Sequence, residues 1–186
     1  MTDFKTFFKA ILNAVKVEAA EEFDRNFERK AFFDRKWPGV KRPNKKGSLM
    51  MRSGGLRRGQ RSTIQGDTIR FTNSKPHANI HNNGGQLTVT AAMKKFFWAM
   101  YYKNANQVVY SVKTRQAKST KRNANLNNEA AWWKSLALMK VGSKVNIPQR
   151  QWIGPHPKIN EIVKKHVDAQ VAELEKELFN ALKQRK

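Results

Sequence analysis

The stretch SKVNIPQRQWIGPHP, Ser143–Pro157, limits most strongly how this chain can fold. Val145 and Ile147 alternate with polar neighbours, the period of a half-buried strand. Pro148 has no N–H to donate and ends the ladder. Arg150 and Trp152 follow on a rigid loop, Gly154 permits a turn, and Pro157 stands where a first helical residue belongs. A strand therefore hands the chain to a helix through a corner carrying one arginine and one large aromatic. Both are read as packing or assembly residues.

The two ends of the chain are apolar on one side only. Phe4, Phe7, Phe8, Ile11, Leu12, Val15, Ala19, Phe23 and Phe27 recur at helical steps, which predicts a helix from about Thr2 to Asp34. Such a rod is roughly 45 Å long and must pack on a sheet, another helix or a neighbouring subunit. The Trp37-Pro38-Gly39 step is expected to end it. Ile159, Ile162, Val163, His166, Val167, Val171, Leu174, Leu178 and Leu182 trace a second long helix at the C-terminus.

Between them, residues 38–62 hold eight Lys/Arg, five Gly and two Pro without an acid, and predict a mobile arm with one helical turn near Ser48–Arg52. Thr63–Gln65 and Thr68–Asn73 flank Gly66-Asp67 as a β-hairpin. Asn82-Asn83-Gly84-Gly85 signals a turn before a strand at Gln86–Thr90. Ala91–Lys103 predicts a helix with Phe96, Phe97, Met100 and Tyr101 on one side, and Val108–Val112 a strand. Lys113–Asn128 is polar and aperiodic and reads as weakly ordered. Glu129–Lys140 returns to helix, capped by Asn127 or Asn128 and closed by Gly142. The result is an α+β chain: a small, mostly antiparallel sheet between long terminal helices, forming a single domain over residues 1–186 with a basic arm at 36–62 and a helical insertion at 91–142.

Charge is distributed unevenly. The net charge is +23, yet residues 1–35 carry seven basic and seven acidic side chains, and 161–186 carry six and five. Residues 36–160 hold twenty-four Lys/Arg against Asp67 and Glu129 alone. Nucleic acid, an acidic protein surface or plain solubility each account for such a field. The chain has no cysteine, which removes disulfides and thiolate metal sites. Its charged N-terminus lacks the apolar core of a signal peptide, so a soluble protein made in a cytoplasm, without membrane contact, is expected.

Little here suggests catalysis. The two central carboxylates stand sixty-two positions apart, and hydrolytic or phosphoryl-transfer sites need converging carboxylates, an activated nucleophile or a metal. His77 and His81 have the H-x₃-H spacing of a helical zinc pair, but they fall in a Pro/Asn/Gly-rich stretch not expected to be helical, with no third ligand nearby. Gly84-Gly85 lacks the lysine spacing of a phosphate loop, and His166 reads as a core histidine with a partner. No catalytic residue, cofactor or metal is assigned, and the chain is read as a non-enzyme. Trp98, Trp132 and Trp133, like Trp152 and Arg150, are assigned to packing or assembly. Aromatics interleaved with Lys/Arg can also stack on single-stranded bases.

Three boxes occur in a telling order: Ser-Gly-Gly-Leu-Arg-Arg (Ser53–Arg58), Ala-x-Ile-His-x-x-Gly-Gly (Ala78–Gly85) and Ile-Pro-x-Arg-x-Trp-Ile-Gly (Ile147–Gly154). With the terminal helices, this order resembles the phage virion morphogenesis, or tail-completion, family of Mu-like and P2-like tailed phages, which is related to head–tail joining and tail-terminator proteins. The resemblance covers most of the chain apart from 91–142. It implies a non-enzymatic structural protein of the virion neck or tail end, made in the host cytoplasm. It further implies a homo-oligomeric ring, commonly a hexamer, around the DNA channel, with connector and tail-tube proteins as partners. In such a ring the basic arm (Lys41, Arg42, Lys45, Lys46, Arg52, Arg57, Arg58 and Arg61) would face DNA, without sequence preference, or an acidic partner. Arg150 would fork onto carbonyls or a carboxylate to lock its corner. The alternative is a basic nucleic-acid-binding protein acting outside a virion neck.

Overall fold

The computed structural model describes residues 4–40 and 47–183. It is an α+β structure with long helices at both ends, and among the described residues its strands form three separate two-stranded antiparallel pairs rather than one sheet. By its contacts the chain divides into two compact units, one from Met1–Gly85 with Pro148–Lys186, the other Gln86–Ile147.

The first unit opens with helix α1 (Phe4–Arg29), which buries Ile11, Val15, Ala19, Phe23, Asn26 and Phe27. The predicted run to Asp34 is cut short. Lys30 takes a left-handed conformation (φ 54°), and Ala31–Phe32 (β1) pairs with Arg35–Lys36 (β2) across a tight turn in which Phe33 also has positive φ (53°). Burial compensates this backbone cost, since Phe32 and Phe33 pack with Phe23 instead of circling a longer helix. The helix therefore ends ahead of the Trp37-Pro38 step. A single turn, α2 (Gly55–Arg58), buries Leu56. The turn expected at Ser48–Arg52 is instead a tight bend in which Met51 N donates to Ser48 O at 3.0 Å.

The hairpin forms in the expected register: β3 (Gln60–Gln65) and β4 (Thr68–Asn73) pair from Gln60↔Asn73 to Gln65↔Thr68. Gly66 (φ 57°) supplies the left-handed residue that a two-residue turn requires. One hairpin face lies on α1, where Phe71 meets Phe23 edge-on at 5.0 Å and Ile69 packs on Ile11, Val15 and Ile162. Helix α3 (Ala78–Asn83) takes in the stretch expected to be a non-helical turn. The final helix, α6 (Pro157–Lys183), begins at the expected proline. It runs antiparallel to α1, for Ile159 packs beside Phe23 while Val167 joins Phe7, Ile11 and Val15.

The second unit holds strand β5 (Gly85–Thr88) from Gln86 onward, helices α4 (Ala91–Ala105) and α5 (Lys121–Ala137), and strand β6 (Lys144–Ile147). Strands β5 and β6 pair, and Val89 exchanges hydrogen bonds with Gly142 and Ser143 just beyond them, so the two ends of this unit lie side by side. Trp133 of α5 packs against Phe96 and Phe97 of α4 at 5.7 and 5.9 Å. Two expectations are corrected. Val108–Val112 forms no strand: a lone bridge joins Tyr110 to Ala117, and Val112 is 96% exposed. The stretch read as weakly ordered up to Asn128 is helical from Lys121, capped by Thr120 rather than Asn127 or Asn128. Its hidden side is Asn123, Leu126, Ala130 and Ala137. Buried Asn123 donates to Val109 O and Lys118 O and accepts from Val109 N, which ties down the preceding loop.

Asn26 is the polar residue within the α1 stripe. Fully buried, it donates to Trp152 O (3.1 Å) and accepts from Phe33 N (2.9 Å). Asn26→Ala orphans both groups, and each buried orphan costs about 1–3 kcal/mol. The variant is expected to lose roughly 3 kcal/mol in a urea titration, whereas a surface change such as Asn13→Ala moves the midpoint little.

Candidate functional site

Residues of Ser53–Arg58, Ala78–Gly85 and Pro148–Gly154 meet around a cleft of about 220 Å³. Leu49, Met50 and Leu56 give it an apolar floor, and Arg52, His77, His81 and Arg150 supply its polar lining, with no carboxylate among the lining residues. The sequence boxes are thus one construction in space.

The third box forms its centre, because the chain from Arg150 to Ile153 is irregular and its backbone groups need partners. Arg150 N donates to His81 O (2.8 Å), and Trp37 Nε1 donates to Gln151 O (2.6 Å). Asn82 Oδ1 accepts from Trp152 N and Ile153 N, and its Nδ2 donates to Ile153 O. Arg150 itself is 8% exposed. Its Nε donates to Pro38 O at 2.9 Å and its Nη2 to Gly39 O at 3.0 Å, so the guanidinium fork straps the loop to the chain after Trp37. Burial lowers its pKa from the usual arginine value. Trp152, 1% exposed, fills the core with Phe27, Trp37, Leu56 and Ala78 and presents nothing to a neighbour. Gly84 is required twice over: its φ is +71°, and an added Cβ would lie 2.9 Å from Gln149 N.

Contrary to the sequence expectation, His77 and His81 belong to a helical turn, His77 as the cap of α3. Their rings meet edge-to-face at 5.8 Å. Burial first, then the positive charges of His77 and Arg150, push the His81 pKa below the ordinary histidine value. Among the described residues no group of three or more His, Asp or Glu is placed to hold a metal ion.

The basic arm separates into different roles. Arg57 does not face solvent phosphates: it binds Asp24 through Nε (2.6 Å) and Nη2, and Glu28 through Nη2 (2.7 Å), and these carboxylates raise its pKa. Its charge is spent on α1. Arg58 donates to Ser53 O, and Arg61 to Arg58 O and Gln60 O, both from exposed positions. Arg52 lines the cleft. Lys41, Arg42, Lys45 and Lys46 lie outside the described residues. Trp98, Trp132 and Trp133 all belong to the Gln86–Ile147 unit, where Trp132 is 38% exposed. His166 Nε2 meets Glu18 Oε2 at 2.7 Å, the partner expected for it.

Sequence reasoning missed Asn26 and Asn82. The available signals were an asparagine between Phe23 and Phe27 on an apolar stripe, and a second within the His-x-x-Gly-Gly box. No helix among the described residues is long and apolar enough to cross a membrane. Compared with family models, curated proteins and solved structures, the chain matches none.

Two measurements check this corner. Arg150→Lys keeps the charge but loses the fork, leaving a carbonyl of Pro38 or Gly39 unpaired, and a loss of about 1–3 kcal/mol is expected by urea unfolding. Because the folded pKa of His81 lies below its unfolded value, the unfolded chain binds more protons between the two. Stability should hold above the ordinary histidine range and fall as pH drops through it. His81→Gln should lose that part of the slope in urea midpoints measured from pH 8 to pH 5.

Proposed function

We propose that this chain is a structural, non-enzymatic protein of a phage virion neck or tail end. It assembles as a ring of identical subunits around the DNA channel, between connector and tail-tube proteins. The observation that carries this reading is the free end of α6. Beyond Val167 the helix leaves α1 behind, yet its apolar stripe continues: Val171, Leu178 and Leu182 are 41, 38 and 67% exposed, with Phe179 beside them at 59%. Phe4, on the first turn of the antiparallel α1, is 78% exposed at the same end. A stripe of this kind on a solvated helix calls for a protein cover, and ring assembly from identical subunits provides one.

Three further features support the reading. The motif order resembles the tail-completion family. In the cleft joining those motifs the Arg150 guanidinium is committed to the Pro38 and Gly39 carbonyls, which suits a fold-setting corner better than turnover. The basic surface suits sequence-independent proximity to DNA.

Native mass spectrometry of the purified protein and negative-stain microscopy of virions test the proposal. Rings are expected, together with density at the neck. Leu178→Asp with Leu182→Asp should give monomers whose urea midpoint is unchanged, since neither side chain is buried in the subunit. A protein that is monomeric and also missing from the virion neck would refute the assignment.

A further inference from the structure

We propose that the unit Gln86–Ile147 is a single-stranded nucleic-acid-binding module, with its contact surface on the solvent face of α4. Its charge is the first reason. Residues 86–147 contain eleven Lys/Arg and the single acid Glu129, a net +10. One carboxylate cannot neutralise eleven cations, whatever it touches. In the other unit, by contrast, Arg25, Arg29, Arg57 and Lys165 all meet carboxylates on α1. The unit also contains no histidine.

The second reason is where the aromatics lie. Helix α4 buries none of its residues. While Phe97 turns toward Trp133 of α5, Lys95, Trp98, Ala99, Tyr102 and Lys103 fall at i, i+3, i+4, i+7 and i+8, one face of a helix. Trp98 and Tyr102 stack on each other (5.9 Å, 28°), and Tyr102 is 55% exposed. Lys95 and Lys103 are exposed on either side, with only the methyl of Ala99 between them. The exposed ring of Tyr102, with Lys95 and Lys103 beside it, matches an unpaired base flanked by its phosphates. A duplex hides its base faces and would use only the charge.

Fluorescence anisotropy of the full-length protein with a labelled oligo-dT strand, and with a duplex of equal length, tests the assignment. The single strand should bind at least tenfold tighter than the duplex at 150 mM salt. Tyr102→Ala should weaken single-strand binding at least fivefold, the lower range for one lost base stack, and Tyr102→Phe should restore it. Lys95→Gln with Lys103→Gln should flatten the log–log salt slope by about 1.4, roughly 0.7 for each phosphate contact. Arg58→Gln with Arg61→Gln, in the arm, should leave affinity within twofold. Equal duplex binding with no effect of Tyr102→Ala would overturn the proposal, as would a loss that follows the arm variants. Equally tight, Tyr102-independent binding to polyglutamate or anionic lipid vesicles would assign the face to an acidic protein or a membrane surface instead. The neck assignment is tested separately, because failure of ring assembly leaves oligonucleotide binding unaffected.

Discussion

The first unit depends on the capture of an irregular buried loop by side chains from distant parts of the chain. Residues Arg150–Ile153 cannot satisfy their own backbone groups, and burying them unpaired would cost several kcal/mol. Asn26 of α1, Trp37 after the β1–β2 hairpin, and His81 and Asn82 of α3 supply the partners. The loop then becomes the rivet joining three segments, and Trp152 can fill the core with an aromatic that no regular element delivers. Arg150 closes the arrangement from the other side. Its fork joins the carbonyls of Pro38 and Gly39, in a stretch with no ladder of its own.

Around this rivet, electrostatics and packing divide the work. Most of the acidic side chains of α1 are committed to holding the fold. Glu18 meets Lys165 and His166 of α6, and its pKa falls chiefly through the Lys165 contact. Asp24 and Glu28 hold Arg57. Exposed pairs of this kind contribute little each, so the apolar contacts of Ile11, Val15 and Ile162 are the larger part of the α1–α6 clasp. The pairs have another effect: they remove cations from the surface of one unit, while the unit Gln86–Ile147, with its one acid, keeps nearly all of its own. The charge asymmetry visible along the sequence thus persists in the fold, with Arg57 of the arm drawn onto α1.

What could be read locally was read well. The apolar period of α1, the alternation and Gly66-Asp67 turn of the β3–β4 hairpin, the helical aromatics of α4 and the proline at the start of α6 are short-range signals, and each element stands close to where it was expected. The errors share a physical origin. Lys30 and Phe33 adopt positive φ without glycine, since burial of Phe32 and Phe33 outweighs the strain. The polar run before Asn128 is helical with Thr120 as its cap and with Asn123 and Leu126 buried, a side too sparse in apolar residues for periodicity to register.

The sequence by itself determined the element types, the corner from Ser143 to Pro157 and the overall excess of positive charge, because these follow from residue period, proline geometry and composition. The tertiary structure alone decided which groups meet. Asn26 reaches Trp152 across 126 positions and Arg150 reaches Pro38 across 112. Hydrogen bonds of that span leave no local pattern in a single chain, and so Asn26, Asn82 and the neutralised Arg57 emerged only once the backbone was folded.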